Sequence, residues 1–139
     1  MKKQISTQEV SLKAWVVFCR NSDIWWLRFF KRGFKHCFLI LNDGCNWITY
    51  DPMSAFTEIS VQKTPISFNL PEWFSKRGDK VVPSIVEKRH KVAPVSLFTC
   101  VEGVKRVLGI HDFWILTPHQ LYKHLTKFEE EIITTERNC

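Results

Sequence analysis

The sequence predicts one α+β domain, and three observations carry that reading. Short runs dense in β-branched and aromatic residues fill most of the chain before Pro94. An Asn-Asp-Gly turn separates two of them, and apolar residues take up sustained helical spacing only after that proline. With 139 residues the chain can bury a single core but not two.

The elements follow in order. Residues 1–10 are polar and predict an irregular arm, 11–128 the domain, and 129–139 a charged, fraying tail. Leu12 to Cys19 (LKAWVVFC) reads as a buried strand. The run IWWLRFF at 24–30 is strand, helical turn or exposed wedge, with core the favoured fate for most of its rings. Lys35 to Leu41 (KHCFLIL) and Asn46 to Tyr50 (NWITY) form a hairpin across Asn42-Asp43-Gly44, closed by Asp51-Pro52. Residues 56–63 alternate as a strand does, Phe68 to Phe74 reads as an aromatic-rich proline turn, and 80–92 as strand interrupted at Pro83.

Cys100 to Leu108 (CVEGVKRVL) sets Val101, Val104, Val107 and Leu108 on one helical face, and Gly109 supplies the stop. A second helix opens at Thr117-Pro118, with Gln120 completing a capping box. Leu121, Leu125 and Phe128 line its apolar face.

Composition narrows the function. A 45% hydrophobic and 14% aromatic chain is too apolar for disorder, and its six Trp and eleven Phe imply an aromatic core or an aromatic surface kept for a partner. Net charge of +6 favours anionic partners. The basic residues come in scattered pairs, with no zinc-finger or other nucleic-acid motif, so no specific nucleic-acid partner is expected. The cysteines (Cys19, Cys37, Cys45, Cys100, Cys139) are odd in number and lack CxxC spacing, which argues against a disulfide framework and a structural zinc site. The histidines form no HExxH, and neither a metal nor a cofactor is expected. No signal peptide or membrane-spanning run is legible, so the expectation is synthesis in the cytoplasm.

A thiol hydrolase needs a nucleophile, a base and a group that orients the base. Cys100 alone among the cysteines falls at a predicted helix start, where unpaired N–H groups and the helix dipole favour a thiolate. His36 opens a strand and is the candidate base. Thr49 and Asp51 share a face of the partner strand, and either is placed to orient the imidazole if that face is also the His36 face.

The pieces FKHCFLI (34–40), NDG (42–44), WITYDP (47–52), FTCVEGV (98–104), LGI (108–110) and TPHQLY (117–122) together resemble the circularly permuted NlpC-type branch of the papain-like superfamily, in which the His precedes the Cys. The resemblance covers residues 33–125. It implies a small antiparallel sheet packed on helices and thiol hydrolysis of amides or esters, often the amide bonds of cell-wall peptides. It also implies Cys100 as nucleophile and His36 as base. At Thr49, relatives usually carry a stronger polar residue, which leaves Asp51 as the substitute or the site weakened. The segment before the cysteine carries Thr99 where an Asn is customary.

The resulting expectation is an amidase or endopeptidase acting on an anionic polymer or peptide such as peptidoglycan. A second reading keeps the fold without the activity, as a binding or structural module of a virion or other assembly, in keeping with a general likeness to proteins of tailed bacteriophages. A third uses the same pair in a lipid-directed acyltransferase at a membrane surface.

Overall fold

The computed structural model describes residues 12–20, 34–53, 55–86, 92 and 95–137, with the backbone alone for 131–137. The predicted arm, the 24–30 aromatic run, Cys139 and residues 87–91 of the segment after Pro83 lie outside the described residues.

Five strands run β1 (Lys13–Cys19), β2 (His36–Asn42), β3 (Trp47–Pro52), β4 (Thr57–Gln62) and β5 (Lys80–Ile85). They form one antiparallel sheet in the order β4-β3-β2-β1-β5. The helices are α1 (Leu70–Lys76) between β4 and β5, then α2 (Cys100–Leu108) and α3 (Pro118–Arg137). The architecture is therefore α+β, as the sequence predicts.

Strand alternation sorts the core into two layers. Ala14, Val16 and Phe18 of β1, Cys37 and Leu39 of β2, and Val82 of β5 pack with Val101, Val104 and Leu108 of α2 and Leu121 of α3. The residues between them, Val17, Phe38 and Ile40, join Trp47 and Leu70 on the other face, with Phe74 of α1 packed alongside. Helices on both faces explain why β1 and β2 read as nearly continuous apolar runs rather than alternating ones.

The β2–β3 hairpin owes its register to its turn. Asp43 Oδ1 accepts the N–H groups of Cys45 and Asn46, and Gly44 takes the positive φ (93°) that the turn demands. The pairing that results sets Leu39 opposite Tyr50 and Ile40 opposite Thr49. Pro52 belongs to β3 rather than closing it.

Three local readings need correction. Phe68 to Phe74 is no turn: Asn69 caps α1 by accepting the Glu72 N–H at 3.2 Å, and Pro71 sits in the first turn, where a missing N–H breaks no helical bond. Pro83 does not interrupt β5. It pairs with Trp15 on an edge strand, where a proline can face outward. Nor does helix end at Phe128, since α3 continues to Arg137 through charged residues that read as a tail.

The predicted caps of the later helices are present. Gly109 ends α2 in the left-handed region (φ 73°). Thr117 Oγ1 accepts the Gln120 N–H at 3.2 Å while Gln120 Oε1 accepts the Thr117 N–H at 2.9 Å, the reciprocal pair of a capping box. Among the described residues no helix is long and apolar enough to cross a membrane.

Candidate active site

The hairpin register decides which polar residue can serve His36. Since Ile40 faces Thr49 and side chains alternate, His36, Phe38 and Ile40 project to the same side as Trp47, Thr49 and Asp51. Of the two candidate orienting groups, Asp51 is nearer the His36 end of the ladder. His36 Nε2–H donates to Asp51 Oδ1 at 2.6 Å, a short charge-assisted bond with both side chains largely buried.

Thr49 is committed elsewhere. Its hydroxyl lies 2.7 Å from Ser60 Oγ and accepts from Gln62 Nε2 at 3.0 Å, in a small polar cluster with β4. Thr49 is thus not part of the imidazole's hydrogen-bond chain. The carboxylate two residues along takes that position.

Cys100 arrives from the other face. Thr99 caps α2, its hydroxyl accepting the Glu102 N–H at 3.2 Å, which makes Cys100 the first helical residue. Helix α2 approaches β3 closely at Gly103: a Cβ there would come within 2.4 Å of Pro52 Cβ and 2.7 Å of its Cγ. Only glycine allows this contact, and it brings the start of α2 to the end of the sheet where β2 begins and β3 finishes. There Cys100 packs against the cluster that holds Cys37, the neighbour of His36, and thiol and imidazole each shift the other's titration. With Nε2 held by Asp51, Nδ1 is the ring nitrogen left for sulfur.

A buried ion cluster fixes the helix in this pose. Lys105, 3% exposed, donates to Glu102 Oε2 at 3.0 Å and to the Ile115 carbonyl at 3.2 Å, and Arg106 Nε reaches Glu102 Oε1 at 3.0 Å. The bond to Ile115 ties α2 to the segment leading into α3.

The electrostatics follow from these contacts. The Cys100 thiol is pulled down to about 5. A hydrogen bond from the Cys37 thiol contributes most, burial opposes it, and the His36 hydrogen bond and charge and the Cys37 backbone amide add to the lowering. For His36 the largest influence is burial, which disfavours the cation. The hydrogen bonds to Asp51 and Cys100 together overcome it and raise the imidazole to about 9. Between these values the pair is thiolate and imidazolium.

Cys37 is the residue that sequence reasoning missed. It lies on the α2 face of β2, wholly buried, and packs in the same cluster as Cys100. Burial first, and then the hydrogen bond to Cys100, holds its own thiol protonated well above the usual range.

Of the other described cysteines, neither packs in that cluster. Cys19 packs with the α1-side cluster and is pushed up to about 12, chiefly by burial and then by Asp79. Cys45 is exposed in the hairpin turn. His119 and His124 make ring contacts with Phe34 and Phe128 respectively. Among the described residues no three His, Cys, Asp or Glu side chains are grouped to hold a metal ion.

Compared with protein-family models, with curated proteins and with solved structures, the chain matches none of them.

Proposed function

We propose that this protein is a papain-like thiol hydrolase of the permuted NlpC type, an amidase or endopeptidase in which Cys100 is the nucleophile, His36 the acid–base group and Asp51 the residue that orients it. One observation carries the reading: Asp51 hydrogen-bonds His36, and Cys100, at the first position of a helix, lies close enough to that imidazole for each to shift the other's titration.

The chemistry follows from the arrangement. The Cys100 thiolate attacks the carbonyl carbon of an amide. Negative charge grows on the carbonyl oxygen near the start of α2, where the Cys100 N–H has no intrahelical partner and the helix dipole favours an anion. The His36 imidazolium gives its proton to the departing amine, leaving a thioester on Cys100. Neutral His36 then takes a proton from water, whose oxygen attacks the thioester, releases the acid and regenerates the ion pair. Asp51 holds the ring in the tautomer that keeps Nδ1 toward sulfur throughout.

The substrate proposed is an amide in a cell-wall peptide or similar anionic polymer, which a surface of net charge +6 would concentrate. The test is turnover of soluble peptidoglycan fragments, followed by mass spectrometry of the released amine and acid. Cleavage by the native chain and none by Cys100→Ala is the expected result. A Cys100 that neither turns over such fragments nor alkylates at neutral pH would sink the proposal.

A second reading has its own support. Edge strand β4 exposes Ile59 and Val61, each more than 60% accessible, and the loop before α3 exposes Phe113 and Trp114. Apolar side chains left on a sheet edge suit a component of a virion or other assembly. Stable association with a structural partner by a Cys100→Ala chain would favour it.

A further inference from the structure

The mechanism above employs one sulfur, yet a second lies against it. Cys37 has no part in proton transfer, is wholly buried, and shares both the face of β2 and the packing cluster that receive Cys100. Both side chains pack in the one cluster between β2 and α2, and each thiol's titration is shifted by the other. None of the other described cysteines is so placed: Cys19 points into the opposite layer, and Cys45 is at the far end of the hairpin. Cys100 is only partly buried, so a small oxidant can reach it while Cys37 stays shielded behind it.

We infer that Cys37 is a resolving thiol for Cys100: a hydroperoxide oxidises the nucleophile, and the pair closes into a Cys37–Cys100 disulfide that switches the site off reversibly. The inference rests on the reading of Cys100 as an activated nucleophile. In the first step the Cys100 thiolate attacks the outer peroxide oxygen. The O–O bond breaks, sulfur is oxidised to the sulfenic acid, and the leaving oxygen takes its proton from the His36 imidazolium as water or an alcohol. In the second step the Cys37 sulfur attacks the Cys100 sulfur. The S–O bond breaks, and the hydroxide leaves as water with the Cys37 thiol proton. An external dithiol reopens the bridge by exchange and is itself oxidised.

Two consequences distinguish this pair from a bystander contact. The sulfenic acid forms beside a thiol, so capture competes with further oxidation to the irreversible sulfinic state. Because both side chains already pack in one cluster, closing the bridge asks for side-chain rotation rather than separation of α2 from the sheet.

The experiment treats the full chain with hydrogen peroxide, blocks remaining thiols with N-ethylmaleimide, and maps peptides without reduction. The expected product is a Cys37–Cys100 cross-linked peptide, with intact mass lower by about 2 Da, near-complete loss of Cys100 alkylation, and recovery with dithiothreitol. Cys37→Ser under the same treatment is expected to gain oxygen at Cys100 and fail to recover. Should that variant fold poorly, the native chain's peptide map decides alone. Sulfinic acid at Cys100, or a bridge from Cys100 to Cys19, in the native chain overturns the inference. Iodoacetamide labelling of the untreated chain separates the two ideas. Labelling of Cys100 with a low pH midpoint but no bridge removes the switch and leaves the hydrolase. Absence of labelling removes both.

Discussion

Cys19 and Cys37 sit on adjacent strands, near the same end of the sheet, and both are held as protonated thiols by burial. They differ by one step of the strand's alternation. Phe18 pairs with Cys37 and Cys19 with His36, so Cys37 enters the α2 layer and Cys19 the α1 layer. The first packs in the cluster that receives Cys100, and the second does not. The two faces therefore hold similar apolar cores but contribute differently. The α1 face carries His36 and Asp51 at its end, whereas the α2 face delivers Cys100 to that same end of the sheet.

The largest expected effect comes from removing His36, the proposed base. His36→Ala should lower kcat/KM for hydrolysis by about 10²–10⁴. It should also move the pH midpoint of Cys100 alkylation upward by about 1–3 units, because the cation that favours thiolate is gone. In the native chain the sign runs the other way. Thiolate is lost as pH falls through about 5 and imidazolium as pH rises through about 9, so hydrolysis should follow a bell between those limits. A profile with a single rising limb near pH 9 would deny the ion pair.

A packing change on each face sharpens the contrast. Leu70→Ala, at the start of α1, should cost about 2–5 kcal/mol of stability, read by chemical denaturation, and leave the alkylation midpoint in place. Gly103→Ala should cost less, about 1–3 kcal/mol, yet raise the midpoint, because a methyl against Pro52 forces the start of α2 away from His36. Equal effects of the two on the midpoint would show that the faces are not separable. The smallest expected change is at Lys76, whose exposed bond to Glu72 spans one turn of α1: Lys76→Ala should leave the denaturation midpoint almost unmoved and change nothing at the site.

The site was legible in part. Cys100 stood out because the apolar spacing and Gly109 mark a helix with the cysteine at its start, and His36 because it opens a strand. The choice between Thr49 and Asp51 was not legible. It depends on which residues of the hairpin stand opposite each other and on Thr49 being engaged by Ser60 and Gln62 of β4. Cys37 was overlooked for the same kind of reason, since its role needs a helix that lies far along the chain. Helix α1 was missed at closer range: Pro71 reads as a turn until Asn69 is seen to cap the residues that follow.

What the amino-acid order settled unaided is what neighbours within a few residues decide: the Asn-Asp-Gly turn, the cap at Thr117, the stop at Gly109, and the apolar runs that make strands. Those interactions close over short loops and need no partner from elsewhere in the chain. The meeting of Cys100 with His36, the preference for Asp51, and the contact with Cys37 required the sheet to form and α2 to settle on Pro52 through Gly103. They are set by strand register and by the close approach of two backbones, and neither exists until the chain has folded.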